Sequence, residues 1–239
     1  MGAITFPNVM IVSISWIVFD SKRLGSRHAK WSSRDHICPV TISARNANSP
    51  NWSNKMSITK PGKIEIAFVL MASRITRRSR YQKFIEEIGL KGGENVLDFG
   101  AGWGDNSYYI AKSLNQKGRV TALDVSEEWQ TVAKKRLKEF HNIDFVQSDI
   151  RSSSLLNGSF DVIVISYVLH DIPAKERSEI IKSLAIKLKS TGFIQLREPT
   201  KERHGMPMDE IRSLMKKAGL KESNSTVGKK EFKARYSKS

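Results

Sequence analysis

The sequence predicts an α/β protein: a Rossmann-like, doubly wound sheet, mostly parallel, with an antiparallel C-terminal hairpin strand. Three observations predict it. Short β-branched runs alternate with segments of helical periodicity from Val96 to Leu196, the alternation that builds a parallel sheet with helices on both faces. Glycines 100, 102 and 104 stand where the first run meets the first helical segment. The first three runs each deliver an acid at or just beyond their carboxyl ends: Asp98, Asp124 and Asp149.

Taken in order, residues 1–55 do not share this pattern and are expected to be a separate extension, disordered or placed upstream of a true start at Met56. They hold one apolar run, Val9 to Phe19, followed by a Ser/Arg/Asn-rich stretch without periodicity. The run is too short to span a hydrocarbon layer of roughly 30 Å, and no Lys or Arg precedes it as a signal sequence requires. Residues 56–239 form the expected domain, with a core over about 90–236. Ile64 to Ser73 is apolar and expected to be helical. A basic cluster of Arg74, Arg77, Arg78 and Arg80 follows, and Tyr81, Phe84, Ile85 and Ile88 give a helical stripe that Gly89 ends.

The first strand is Asn95 to Phe99, and its helix starts near Asp105. Strand two is Arg119 to Asp124, after a helix broken at Gly118. A helix marked by Trp129, Ala133 and Leu137 leads to strand three, Ile143 to Gln147. Strand four, Phe160 to Ser166, is an uninterrupted β-branched run, as expected of a strand covered on both faces. Ala174 to Lys189 reads as an amphipathic helix stopped by Gly192, and Phe193 to Leu196 as strand five, closed by Arg197-Glu198-Pro199. A polar loop, Thr200 to Pro207, contains His204, expected to be a surface histidine and not a metal ligand. A helix from Met208 to Ala218 and a hairpin of Lys221–Val227 with Glu231–Tyr236 around Gly228-Lys229 complete the chain.

The stretch VLDFGAGWGD, Val96 to Asp105, selects the ligand class. Glycines accept positive φ and let bare backbone approach a ligand at a helix N-terminus. A dinucleotide site needs Gly-x-Gly-x-x-Gly, but Asp105 occupies the third glycine's place, where a carboxylate repels pyrophosphate. This makes a nicotinamide dehydrogenase a weak reading. No Gly-Lys-Ser/Thr follows, so a phosphate loop fails too. An acid-bearing turn suits a cationic ligand. Asp124, twenty residues past Gly104, is positioned to accept hydrogen bonds from two ribose hydroxyls. A lone Asp at such a place is more often a helix cap; three acids at successive strand ends favour a ligand site.

Asp98-x-Gly100-x-Gly102-x-Gly104 resembles motif I of the class I S-adenosylmethionine-dependent methyltransferases, and the strand order continues the likeness from about Leu90 to Tyr236. The resemblance implies a domain of the small-molecule methyltransferase kind, with S-adenosylmethionine as cofactor and no metal. It assigns cofactor binding to Asp98, Gly100, Ala101, Gly102, Gly104, Asp124, Val125, Asp149, Ile150 and Ser166. Asp98 and the glycine backbone would hold the methionine end and Asp124 the ribose. Asp149 would take the exocyclic amine of the base, with Ile150 against the ring. The segment Tyr167-Val168-Leu169-His170-Asp171-Ile172-Pro173 lies where the family faces the transferred methyl. LHDIP is similar to the His-Asp pair of some small-molecule O-methyltransferases, so Tyr167 and His170 are the expected catalytic residues. His170 would be a general base oriented by Asp171 or another acid. The alternative is that this position only shapes the pocket.

Composition narrows the acceptor without naming it. Hydrophobic content of 39% suits a globular protein. One cysteine, Cys38, excludes an internal disulfide and a multi-cysteine metal site, and is compatible with a cytoplasmic location. It also argues against two-cysteine chemistry on cytosine. A small-molecule acceptor leads, because no Asn/Asp-Pro-Pro-Tyr/Phe tetrapeptide follows strand four. The net charge of +16 keeps nucleic acid open as a partner. Outside residues 1–55 there remain 33 Lys and Arg against 22 Asp and Glu. An RNA or protein methyltransferase is therefore the alternative within the enzyme class. A catalytically inactive cofactor-binding partner subunit is the alternative outside it. The oligomeric state is not encoded legibly.

Overall fold

A computed structural model describes residues 78–200 and 205–238. The expectations for residues 1–55, for Ile64 to Ser73, for Arg74 and Arg77, and for His204 lie outside the described residues. The described residues begin with a π-helical turn, Arg78–Gln82, that runs into a short helix α1, Lys83–Glu86. Gly89 ends the segment with φ 74°. Strand β1 (Asn95–Phe99), helix α2 (Asp105–Ser113), β2 (Arg119–Asp124), α3 (Glu127–Arg136), β3 (Ile143–Gln147) and β4 (Phe160–Ser166) follow. A single 3₁₀ turn, Leu169–Asp171, precedes α4 (Ala174–Lys187), β5 (Leu188–Pro199), α5 (Met208–Lys217), β6 (Leu220–Val227) and β7 (Glu231–Lys238).

The seven strands form one sheet in the order β3-β2-β1-β4-β5-β7-β6. The first five are parallel; β7 is antiparallel to both β5 and β6. Two cores follow from the two-residue period of the strands. Leu97, Phe99, Ile163 and Ile165 point to one face, where Ile181 and Leu184 of α4 and Ile211 and Met215 of α5 cover them. Val96, Val120, Ala122, Val162 and Val164 point to the other, beneath Phe84 and Ile85 of α1 and Ile110 of α2. Because both faces are covered, β1 and β4 are buried at nearly every position.

Strand β5 differs from expectation. It starts at Leu188, and Gly192 lies inside it instead of ending α4. The helix stops at Lys187 because Leu188 turns extended (φ −71°, ψ 136°) to pair with Phe160. The register then shifts between Phe160 and Val162. Gly192 serves this irregularity by close approach, since a Cβ there would lie 2.8 Å from the Asp161 carbonyl oxygen. The sheet order reverses at β1, whose neighbours are β2 and β4. The crevice outside the carboxyl ends of these two strands is where open α/β sheets bind ligands.

Candidate active site

The turn after β1 is held by backbone. The N–H groups of Gly100 and Ala101 both donate to the Leu123 carbonyl, at 2.9 and 3.0 Å. Gly100, Gly102 and Gly104 have φ of 70°, 52° and 85°, so the loop is left-handed at alternate residues, a path that glycine permits at little steric cost. Gly102 donates its N–H to Asp124 Oδ2 at 2.7 Å, and Ser126 donates to Asp124 Oδ1 at 2.9 Å. The Ser148 N–H reaches the Asp124 carbonyl at 3.2 Å. The ends of β1, β2 and β3 are thereby tied together, and Asp98, Asp124 and Asp149 share one sheet edge.

Each acid has a distinct environment. Asp98 is fully buried; its Oδ2 accepts from Ser107 Oγ at 2.6 Å, while Oδ1 has no partner in hydrogen-bond geometry, although the Ser107 N–H and the Asn106 side chain lie close enough to the carboxylate to favour its charge. Burial raises its pKa to about 6. Burial also raises that of Asp124, against the backbone N–H groups that lower it. Asp149 accepts from the backbone N–H of Arg151 and from its guanidinium, which also reaches Glu176 Oε2 at 3.2 Å. The net effect on Asp149 is a lowered pKa: partial burial raises it, and the Arg151 contacts outweigh that. The Ile150 side chain is part of the apolar core, so that residue faces any ligand with backbone, while Val125 is half-buried.

Beyond β4 the chain turns sharply. Tyr167 has φ 59°, unusual for a residue with a Cβ, and its hydroxyl donates to Glu231 Oε2. Burial is the main cause pushing its pKa upward. Glu198, at the end of β5, is completely buried and staples the turn. Its Oε1 accepts the N–H groups of Val168 and Leu169 at 2.7 and 2.8 Å, and Oε2 meets His170 Nδ1 at 2.7 Å. His170 Nε2 lies 3.4 Å from Asp171 Oδ1. Desolvation lowers the His170 pKa, and the bond to Glu198 with the two nearby carboxylates outweighs it, for a net rise. Burial raises that of Asp171. Ser166, expected at the cofactor, accepts from Arg197 Nε and Nη2 at 3.2 and 2.9 Å.

Comparison with known proteins agrees with the fold. A family model described as a methyltransferase domain matches residues 96–192. The S-adenosylmethionine-dependent methyltransferase of Aquifex aeolicus superposes with a TM-score of 0.57 at 26% identity, over 67% of this chain and 92% of that one. Residues 96–192 carry the match to the methyltransferase-domain model, on a fold shared with the Aquifex protein. A TehB-like methyltransferase from Corynebacterium glutamicum shares the fold, with a TM-score of 0.62 at 17% identity over 74% of this chain and all of that one. In sequence, the demethylmenaquinone methyltransferase of Lactococcus lactis subsp. lactis is 33% identical over 114 residues, 47% of this chain and 44% of that protein. The ubiquinone/menaquinone biosynthesis C-methyltransferase UbiE of Francisella tularensis subsp. novicida is 30% identical over 120 residues, 49% of this chain and 47% of that one. The chain thus spans about half the length of the curated relatives it matches.

The methyltransferase family and fold imply S-adenosylmethionine as cofactor, and most of the residues present fit it. Asp98 Oδ1 is a buried acceptor without a donor, which an ammonium would satisfy. A Cβ at Gly102 would meet nothing within 4 Å, so the loop leaves space on that side. An ionised carboxylate has about four lone-pair sites, and the N–H groups of Gly102, Ser126 and Val125 leave capacity at Asp124 for a ribose hydroxyl. Asp149 fits only if its Arg151 partner turns to Glu176, which it already touches. Among the described residues no group of three or more His, Cys, Asp or Glu is arranged to hold a metal ion, and no helix is long and apolar enough to cross a membrane. Sequence reading missed Glu198 as the partner of His170. Its signal was the one that selected Asp98 and Asp124: an acid at the carboxyl end of a parallel strand.

Proposed function

We propose that the protein transfers a methyl group from S-adenosylmethionine to a small-molecule acceptor, and that residues 56–239 are the unit that does so. The observation that carries this reading is the buried, unpartnered Asp98 Oδ1 beside a left-handed glycine loop whose N–H is capped by Asp124. When bound, the cofactor supplies a sulfonium methyl already activated for displacement. Asp98 holds the ammonium of the methionine end, Asp124 the ribose, and Asp149 with the Ile150 backbone the adenine edge. The chain's remaining work is alignment of the acceptor and removal of its proton.

The quinone methyltransferases among the relatives favour a small acceptor. His170 is the base in this reading: Glu198 accepts the Nδ1 proton, which leaves Nε2 with the lone pair. Its pKa lies above the usual 6.5, so turnover rises with pH through a limb above that value. Glu198→Gln removes the charge that raises the pKa and moves the limb to lower pH, while His170→Gln slows turnover by about a hundredfold and flattens the profile. A limb that stays in place in both variants removes His170 from the mechanism.

Calorimetry with S-adenosylmethionine, S-adenosylhomocysteine and NAD tests the cofactor assignment. Both sulfur nucleosides bind, NAD does not, and Asp124→Ala weakens binding by about tenfold or more. Failure of both sulfur nucleosides to bind ends the reading. Turnover with any acceptor dismisses an inactive partner subunit. A second reading, methylation of RNA, is favoured by Lys216, Lys217, Lys221, Lys229 and Lys230, all exposed and in no ion pair among the described residues. A steep loss of RNA affinity with added salt would support it.

A further inference from the structure

Arg197 is a feature of the site that cofactor binding and proton removal leave unused. It lies near the end of β5 in register with Ser166, at the carboxyl edge of the sheet, and is 2% exposed. A buried guanidinium is costly unless a carboxylate or dense hydrogen bonding compensates it. Three part-buried arginines have such a carboxylate: Arg136 pairs with Asp105 at 2.7 Å, Arg177 with Glu210 at 2.7 Å, and Arg151 with Glu176 at 3.2 Å; Arg235, half-buried and without one, bonds the Gln195 side chain and the Glu87 and Ile88 carbonyls instead. Arg197 is more deeply buried than any of them, yet no Asp or Glu among the described residues lies within 4.0 Å. Glu231, the acid on the neighbouring hairpin, bonds the Tyr167 hydroxyl instead.

What surrounds Arg197 is aromatic. Its guanidinium carbon lies 4.2 Å from the Phe84 ring centre, 4.6 Å from that of Tyr167 and 5.3 Å from that of Tyr81. Three aromatic faces hold a cation in place while leaving its N–H edges for other partners. A guanidinium has five N–H donors. Nε and Nη2 each give one to Ser166 Oγ, and Nη1 gives one to the Arg80 carbonyl at 2.7 Å. Two N–H donors remain without a partner among the described residues. The Arg80 carbonyl belongs to the π-helical turn Arg78–Gln82, a rare local form that is frequent at functional sites.

We propose that Arg197 is the receptor for a carboxylate on the methyl acceptor, with the Arg80 carbonyl standing where one carboxylate oxygen goes. The substrate class is then a small carboxylate-bearing molecule. The position supports this: Arg197 adjoins Tyr167 and Ser166 at the turn that carries His170, away from Asp124 and Asp149 at the other side of β1. A carboxylate held there neutralises the buried guanidinium and anchors the acceptor on the His170 side of the crevice. This assignment rests on the methyl-transfer reading, and its test separates the two.

Benzoate is the probe, with benzamide as its neutral counterpart, titrated calorimetrically into the full chain both alone and saturated with S-adenosylhomocysteine. Benzoate binds the wild type about tenfold or more tightly than benzamide, the difference expected of a charge-assisted fork. Arg197→Lys keeps the charge but not the fork and weakens benzoate by about tenfold, and Arg197→Met abolishes the preference. Undiminished binding of S-adenosylhomocysteine by these variants shows that their fold is kept. Equal binding of the two probes by the wild type, or none, overturns the proposal without need of any variant. Benzoate selectivity that survives in Arg197→Met overturns it as well. Absence of S-adenosylhomocysteine binding with benzoate selectivity intact would instead sink the methyl-transfer reading.

Discussion

Asp98 has no exposure to water and one oxygen without a donor, so ionising it inside the protein is expensive. Its pKa rises from 3.8 to about 6. Between those values the folded chain keeps a proton that the unfolded chain has lost. The associated stability is therefore full below 3.8 and declines as pH rises through about 6, a loss of about 3 kcal/mol by the usual conversion. An ammonium beside Oδ1 favours the ionised form, so binding the methionine end expels the proton. Affinity for S-adenosylmethionine accordingly climbs between pH 5 and about 6 and levels off above. Calorimetry in buffers of different ionisation enthalpy reads the released proton directly. Asp98→Asn binds more weakly, with an affinity flat in pH, and gains thermal stability over the wild type as pH is raised from 5 to 8. An unchanged pH dependence in the variant would exclude Asp98 from the cofactor contact.

At the scale of elements, the glycine loop does two different jobs at neighbouring positions. A Cβ on Gly100 would lie 2.5 Å from Val168 Cγ2, on the turn that follows β4. One on Gly102 would touch nothing within 4 Å. Both positions have positive φ, which alone costs about 1–2 kcal/mol for a residue with a side chain. Gly100→Ala therefore loses more thermal stability than Gly102→Ala, because it also drives Val168 away from β1. Gly102→Ala loses cofactor affinity out of proportion to its stability, because its methyl group enters the space left for the ligand. Thermal unfolding and calorimetry on both variants separate the two effects, and equal losses in both measurements would refute the division. These elements were legible in the sequence. The bounds of β1 through β4 follow from β-branched runs ended by glycine, acid or serine. The start of β5 was not, because α4 ends where Leu188 finds Phe160, a pairing fixed by tertiary contact and not by a local breaker. The π-helical turn was equally hidden: apolar spacing around Tyr81 and Phe84 does not distinguish it from an α-helix. Of the candidate site, the acids at strand ends could be read. The aromatic enclosure of Arg197 could not, since its parts come from residues 81, 84 and 167.

Across the whole molecule, the sheet divides the candidate site into two mechanical halves about β1. The glycine loop, Asp124 and Asp149 are carried by β1, β2 and β3. His170, Glu198, Arg197 and Tyr167 depend on β4, β5 and the hairpin. Register shows the second dependence: Glu198 pairs with Phe232 and Arg197 with Lys233, and the Glu231 carboxylate holds Tyr167. Phe232 is fully buried in the core beneath α4 and α5. Phe232→Ala should cost about 3–5 kcal/mol from lost packing and the cavity left behind. For a domain of this size that lowers the melting temperature by roughly 10 °C. Because β7 touches neither β1 nor β2 in the sheet order, binding of S-adenosylhomocysteine below the transition should stay within about twofold of wild type. Turnover should fall much further, since Glu198 and Tyr167 lose the strand that positions them. Thermal unfolding, calorimetry and turnover on this one variant decide the matter. A loss of nucleoside affinity as large as the loss of turnover would mean that the two halves form a single cooperative site, with the hairpin supporting both.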